Sequence, residues 1–177
     1  MTAEGSAVRP ATRADLGAVA DIYAHYVHHT VVTFDETPPP PAAWQRRFDD
    51  LAGLGLPFLV AEAAGEVVGY AYAAPWRTKP AYRHTVENSI YLKPGRTGRG
   101  IGAALLAALL TECAATPARQ MIAVIADAGT DASLALHRRF GFVEQGRLTE
   151  VGHKHNRWID TILMQRPLTE PRRPPGA

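Results

Sequence analysis

The stretch Pro94 to Gly102, Pro-Gly-Arg-Thr-Gly-Arg-Gly-Ile-Gly, restricts the possible folds of this chain more than any other. It follows a run with strand character, Thr85 to Leu92, and precedes an Ala/Leu segment reaching about Ala115 whose composition strongly favours helix. Strand, glycine loop, helix is the order that lets backbone N–H groups converge on one concavity, with the positive end of a helix behind them. Such a concavity takes an anion, usually a phosphate. Gly98-Arg-Gly-Ile-Gly-Ala103 formally satisfies the dinucleotide pattern G-x-G-x-x-A. That fingerprint, however, belongs to the first βα turn of its domain and needs an acidic residue ~20 positions on. Here the loop comes past mid-chain, with too little sequence after it for the second half of a dinucleotide fold. No Gly-Lys-Ser/Thr follows, which also excludes the nucleoside-triphosphate loop. Glycines that merely let a helix pack closely on a strand are the remaining alternative.

A chain of 177 residues suits one domain at ~150 residues each; we place it at 1–168, with the proline-containing 169–177 as a flexible tail. With 46% hydrophobic and 20% charged residues the composition is that of a soluble globular protein. Nineteen basic against seventeen acidic side chains leave +2; with no basic block, little argues for a nucleic-acid partner. The longest apolar stretch, Gly100 to Leu110, is short of the ~20 residues that cross a bilayer, so no membrane partner is expected. Met1 to Pro10 shows no basic segment followed by an apolar one. The single cysteine, Cys113, cannot form an internal disulfide and reads as a small core residue. A cytoplasmic location is the expectation.

Thr12-Arg-Ala-Asp15 has the spacing of a capping box and leads into Leu16, Val19, Ile22, Tyr23, Tyr26 and Val27 at helical intervals, predicting a helix over about 13–29. The proline run at 38–41 puts positions 30–42 in a loop, with a short amphipathic helix around Trp44 to Leu51. Phe58–Glu62 and Val67–Tyr72, separated by Ala64-Gly65, form a hairpin. Pro75 to Arg83 is a second loop, followed by the Thr85–Leu92 strand. Beyond the glycine loop and its helix come a strand at Met121–Ile125, a helix at Asp131–Phe140 stopped by Gly141, and strands at Phe142–Arg147 and Ile159–Gln165. Early hairpins and late βαβ elements give an α/β fold: a mixed sheet covered by helices on both faces.

Val86-Glu-Asn-Ser-Ile-Tyr-Leu92, followed by Gly100-Ile-Gly102 and Leu105-Leu106, resembles the acetyl-CoA motif of the GNAT N-acetyltransferase superfamily. Within it the chain is similar to the phosphinothricin and methionine sulfoximine/sulfone acetyltransferases over nearly its whole length. Val8-Arg-Pro-Ala-Thr12 resembles their opening strand, Pro75-Trp-Arg77 their substrate loop, Thr85-Val-Glu87 their catalytic strand, and Gly152-His-Lys-His155 with Trp158 their closing segment. The resemblance implies the GNAT fold, with a mixed, mostly antiparallel sheet, and acetyl-CoA as cosubstrate, held by Ile90, Tyr91 and Leu92, by Gly98, Arg99, Gly100, Ile101, Gly102 and Ala103, and by Thr130 and Ser133. Two positions depart from the family pattern. Thr97 stands where the pattern has Gln or Arg, and Thr130 where relatives often carry a cofactor-contacting Asn. The resemblance also implies a homodimer.

An amine is protonated at neutral pH and cannot attack a thioester, so acetyl transfer needs a base near the incoming ammonium. Glu87 fits: alternation puts Thr85, Glu87, Ser89 and Tyr91 on one face of the strand and Val86, Ile90 and Leu92 on the other. A carboxylate mid-strand among apolar neighbours has a raised pKa and accepts a proton better near neutrality. Its alternative is a charge paired with Arg77 or Arg83. His137 occupies the place where many members of the superfamily carry a general-acid Tyr; its alternative is a helix residue packed under the sheet. His25/His28/His29 and His153/His155 have metal-compatible spacings, but no Cys or carboxylate completes either set, and no metal is expected. No serine sits in G-x-S-x-G.

A small amino acid with a second, oxygen-rich head needs cations and an aromatic wall. Arg77, Arg83 and Lys154 with Phe34, Trp76 and Tyr82 supply those types, and Thr78, Lys79, Asn88 and Ser89 complete the substrate set that the resemblance implies. Arg77 and Arg83 resemble the methionine sulfoximine/sulfone branch. An enzyme for another amine, such as a protein N-terminus, a polyamine or an antibiotic, and a non-catalytic acyl-CoA-binding module are the competing readings.

Overall fold

The computed structural model describes residues 5–169; of the expected flexible tail, 170–177 lie outside the described residues. Strand β1 (Ser6–Pro10) leads through a 3₁₀ turn (Arg13–Asp15) into α1 (Leu16–His29) and α2 (Pro41–Gly53). The hairpin β2 (Phe58–Ala63) and β3 (Glu66–Pro75) is followed by β4 (Thr85–Leu92), α3 (Ile101–Ala114), β5 (Gln120–Ala126), α4 (Ala132–Arg139), β6 (Val143–Lys154) and β7 (Arg157–Pro167). The strands form one sheet in the order β1-β2-β3-β4-β5-β7-β6. Each neighbouring pair is antiparallel except β4 and β5, which run parallel. The sheet is therefore mixed and mostly antiparallel, as expected.

Period-two alternation sorts the strand side chains into two cores. Leu59, Ala61, Val68, Val86, Met121 and Met164 face α3, whose Leu105, Leu106, Leu109 and Cys113 are fully buried. Phe58, Val60, Tyr70 and Tyr72 face α1 and α2 on the other side, meeting Val19, Ile22, Tyr23, Val27 and Trp44. Each buried leucine of α3 contributes about 1.5–3 kcal/mol, which fixes the glycine loop's helix on the sheet. At the start of α1, Asp15 accepts from the Thr12 backbone N–H at 2.7 Å and hydroxyl at 2.9 Å. The Arg9 guanidinium holds the Asp15 carboxyl well below the usual carboxylate range.

Several boundaries differ from the sequence expectation by one to three residues, β3 reaching Pro75 and β7 spanning Arg157–Pro167 among them, and two differences have a clear physical reason. Helix α2 begins at Pro41, inside the predicted loop, because the first helical position needs no backbone N–H donor and proline is preset for it. Strand β6 continues to Lys154, well past Arg147. Its far half is mostly polar and exposed, its apolar Leu148 and Val151 stand three positions apart, and the register shifts at Glu144/Gly146 and Leu148/Gly152, so no apolar alternation marks it. It turns into β7 through His155 and Asn156, at φ 48° and 58°, the left-handed pair of a tight hairpin turn.

Candidate active site

Pairing between β4 and β5 covers only Thr85–Glu87 against Gln120–Ile122, after which no register joins the two strands. Parallel neighbours that separate open a slot in the sheet. A cavity of about 640 Å³ occupies it, with Glu87 to Leu92 on one bank and Ala123 to Ala126 on the other. Gly98, Gly100, Gly102 and Ala103 line it from the glycine loop, Thr130, Ser133, Leu136, His137 and Arg139 from α4 and the residues before it, and Tyr26 and Val32 from α1 and the loop beyond. A broader, more open depression of about 760 Å³ along α2 has Arg46, Asp49 and Asp50 in its wall, all exposed; it brings together no buried titratable group.

The glycine loop is built as the sequence order implies. Gly98 and Gly100 have φ of 76° and 80°, a left-handed backbone that side chains disfavour. A Cβ at Gly98 would meet nothing, so the backbone conformation is what requires glycine there. Gly100 caps the N-terminus of α3, a helix of 14 residues, whose first N–H groups have no helical partner and whose dipole favours an anion. Gly102 faces Leu136 across 3.5 Å from its Cβ position, which brings α4 against the start of α3. Ile101 packs its side chain into the core, so its contribution to a ligand is through the backbone. Arg99 does not line the cavity, whereas Thr97 does. This arrangement fits a pantetheine-linked diphosphate: a narrow slot for an extended chain, ending in a cradle of backbone donors.

Glu87 sits where the slot begins. Its carboxyl is raised above the usual range, mainly by desolvation, and the nearby Arg77 charge works against that shift. Arg77 stacks on the Trp76 ring at 4.4 Å from its centroid. On the same face of β4, Tyr91 is enclosed by Tyr23, Tyr26 and Tyr70 at ring separations of 5.1, 5.2 and 5.5 Å, and burial pushes its phenol well up. The Tyr26 hydroxyl donates to the Leu92 carbonyl at 2.7 Å, tying α1 to the slot's edge. Asn88 points to the opposite face, 3.1 Å from His137 Nε2, and His137 Nδ1 lies 2.8 Å from the Ser133 carbonyl.

The residues expected to hold the amine divide. Glu87, Asn88 and Ser89 line the cavity. Trp76, Arg77, Thr78, Lys79, Tyr82 and Arg83 lie on the segment between β3 and β4, beside the cavity rather than in its wall; Arg83 donates to the Pro80 carbonyl at 3.2 Å. Phe34 is half-exposed and rests on Gly152, where any Cβ would fall within 2.3 Å of its ring. Lys154 is only 4% exposed, and its ammonium donates to the Thr33 carbonyl at 2.8 Å. Burial lowers its pKa, against the pull of Asp35 and Glu36. Lys154 thus fastens the loop after α1 to the end of β6, an arrangement that depends on β6 extending beyond Arg147. Tyr23 supports the same loop, with its hydroxyl 2.6 Å from Thr33 Oγ1 and 2.7 Å from Asp35 Oδ2.

Sequence reasoning missed Tyr26, Val32, Ala123 to Ala126, Leu136 and Arg139 as cavity residues. In the sequence Tyr26 stands out only as part of a helical stripe. The alanines of β5 carry no chemistry that a pattern could flag. Among the described residues, no group of three or more His, Cys, Asp or Glu is arranged to hold a metal ion.

Residues 20–142 match the model of the acetyltransferase (GNAT) family. The chain is 47% identical over 154 residues to the phosphinothricin N-acetyltransferase of Alcaligenes faecalis, covering 87% of this chain and 78% of that protein. It is 42% identical over 161 residues to the L-methionine sulfoximine/L-methionine sulfone acetyltransferase of Pseudomonas aeruginosa, covering 90% and 93%. Its fold superposes on the crystal structure of a phosphinothricin acetyltransferase from Sinorhizobium meliloti in complex with AcCoA. The TM-score is 0.90 at 47% identity, covering 95% of this chain and 91% of that one.

Proposed function

This chain belongs to the acetyltransferase (GNAT) family and is an N-acetyltransferase, and from that premise we propose that it moves the acetyl group of acetyl-CoA to the α-amine of a small amino acid bearing a sulfone, sulfoximine or phosphinate group. The observation that carries this reading is the single cavity that joins the glycine cradle to the desolvated carboxyl of Glu87. The relatives' named substrates support the amino-acid class.

Acetyl-CoA would supply an activated thioester. The chain's part is to place it and to manage protons and charge. Backbone N–H groups at Gly98 to Ala103, with Thr130 and Ser133, hold the carrier, and Ile90 to Leu92 align its acyl end along β4. Glu87 takes the proton from the incoming ammonium, directly or through water. Its raised pKa makes it a stronger base than a solvated carboxylate. Charge that develops on the carbonyl oxygen is stabilised by backbone donors on the edge of β4 that β5 no longer pairs. Arg77, next to Glu87 and stacked on Trp76, receives the substrate carboxylate, and Phe34 covers its methylene stem.

We also propose a cytoplasmic homodimer. The edge strand β6 exposes Val143, Leu148 and Val151, and Trp158 on β7 is 65% exposed, an apolar surface that a second copy would cover. Buried Cys113 is free, which suits a reducing compartment.

The test is thiol release from acetyl-CoA against methionine sulfone, methionine sulfoximine, phosphinothricin, spermidine and a short peptide, with the parent and Glu87→Gln. Turnover with the first three amines, reduced about 10²- to 10⁴-fold in the variant with little change in acetyl-CoA affinity, is the expected result. Parent activity should rise with pH as Glu87 ionises through its raised pKa. Comparable rates for variant and parent would remove Glu87 as the base; turnover only with spermidine or the peptide would replace the substrate class.

A further inference from the structure

We infer that His137 is a neutral hydrogen-bond acceptor that positions Asn88, and with it the part of β4 that separates from β5, and that it is not the proton donor to the departing thiolate. Only the mention of a thiolate rests on the acetyl-transfer reading; the place of the proton does not.

The two ring nitrogens of His137 face different partners. Nδ1 lies 2.8 Å from the backbone carbonyl of Ser133, one helical turn earlier on α4, and 3.5 Å from the Ser133 hydroxyl, which can accept a share of the same N–H. A carbonyl can only accept, so Nδ1 carries the hydrogen. The ring is 4% exposed and packs edge-on against Phe142 at 4.9 Å. Burial favours its uncharged form, opposed only by the Ser133 bond, with no carboxylate contributing. A neutral imidazole protonated on Nδ1 has a bare lone pair on Nε2, which must face a donor.

The group opposite Nε2 is the side-chain amide of Asn88, 7% exposed. With Oδ1 turned toward Nε2 at 3.1 Å, two acceptors would face each other, and Nδ2 is buried without a partner. The two ends of a carboxamide have nearly the same shape, so its network decides which way it lies. With Nδ2 toward the ring, Asn88 donates to Nε2 and the orphaned donor disappears. What remains is a carbonyl oxygen short of a partner, a lesser fault than a buried unpaired N–H. The chain of bonds then runs one way, from Asn88 Nδ2–H to His137 Nε2 and from His137 Nδ1–H to the Ser133 carbonyl.

In that arrangement His137 has no proton to give: its one N–H is committed to the backbone of its own helix. What it does is hold Asn88 one residue beyond the last paired position, Glu87 against Ile122. Any movement of Asn88 shifts Glu87 and Ser89 on either side of it, so His137 acts on the site through β4.

The experiment compares His137→Gln and His137→Phe and reads the tautomer of the parent directly. Gln keeps an amide N–H for Ser133 and an oxygen for Asn88 but has no titratable proton; Phe keeps only the volume. We expect kcat of His137→Gln within about threefold of the parent with an unchanged pH profile, and a clearly larger loss in His137→Phe. A loss in His137→Gln of about 10²-fold or more that equals that of His137→Phe, with the alkaline limb of kcat removed, would overturn the inference. Imidazole ¹⁵N shifts of the parent between about pH 6 and 9, spanning the unperturbed His range, should show Nδ1–H and bare Nε2 throughout. An Nε2–H tautomer or an imidazolium in that window would overturn it even where a variant fails to fold, and the tautomer decides if the two readouts disagree. Absence of acetyl transfer to any amine would refute the proposed function yet leave the ¹⁵N result standing.

Discussion

Gly69 offers a quantitative test of how the slot is held open. It lies on β3 directly opposite Leu92, and space rather than backbone conformation explains the glycine. A Cβ there would be 2.7 Å from Leu92 Cδ2, 3.1 Å from the Tyr91 carbonyl oxygen and 3.2 Å from Leu105 Cδ1. Leu92 can change rotamer, but Tyr91 offers only backbone and Leu105 is fully buried in the α3 core. Overpacking of this kind costs about 1–3 kcal/mol. Replacing glycine in a strand interior returns about 0.5–1 kcal/mol of chain entropy. Taken at mid-range, the net loss for Gly69→Ala is about 1.25 kcal/mol, or about 2.5–5 °C in Tm for a domain of this size. Because Leu92 is also cavity wall, the displaced side chain should raise KM for acetyl-CoA and leave KM for the amine nearly unchanged. Thermal melts at fixed protein concentration and initial rates at varied acetyl-CoA read both effects. Adding Leu92→Ala removes the closest clash, so the double variant should lose less than the sum of the two singles. Unchanged Tm and unchanged acetyl-CoA KM in Gly69→Ala would refute the packing argument.

Arg139 continues the cavity-facing stripe of α4 one turn beyond Leu136, which touches the Gly102 position at the cradle end; Arg139→Ala should raise acetyl-CoA KM about 5- to 30-fold, corresponding to about 1–2 kcal/mol, with kcat preserved, and an unchanged KM would show that its charge does not help to hold the carrier. Gly152→Ala should push the Phe34 ring outward, since that ring is half-exposed; KM for the amine should rise while Tm changes little, and a large fall in Tm would mean that Phe34 is core instead of substrate wall. Glu87→Gln carries a stability signature besides its kinetic one. A carboxyl whose folded pKa is raised adds stability at low pH that is lost as pH rises through that folded value. The variant's Tm should therefore exceed the parent's above that pKa and converge with it in acid; the opposite trend would contradict desolvation as the cause.

Much of the site was readable because its parts are local. The left-handed glycines, the helix they cap and the alternation that separates Glu87 from Asn88 are all properties of a few consecutive residues. Period-two patterning fixes which face each β4 side chain takes, whatever lies above it. Lys154 shows the opposite case. As a residue type it suits a substrate carboxylate, yet its ammonium is bound to the Thr33 carbonyl on a loop 121 positions away. Nothing near it in sequence foretold that contact, since β6 had no apolar rhythm to announce its far half. The sequence puts His137 on α4, but its role depends on the partner of each ring nitrogen, and Asn88 lies on another element, 49 positions away.

Most of the elements, the conformations that require glycine and the chemistry each side chain can offer are legible residue by residue, because they follow from backbone sterics, spacing and intrinsic acidity. Where β4 and β5 stop pairing, that Ala123 to Ala126 face the opening, and which charges are consumed within the protein came with the packing of the folded chain. Those outcomes depend on distances between segments far apart along the chain, set by how α1 and α3 pack on opposite faces of one sheet, and no local pattern encodes them.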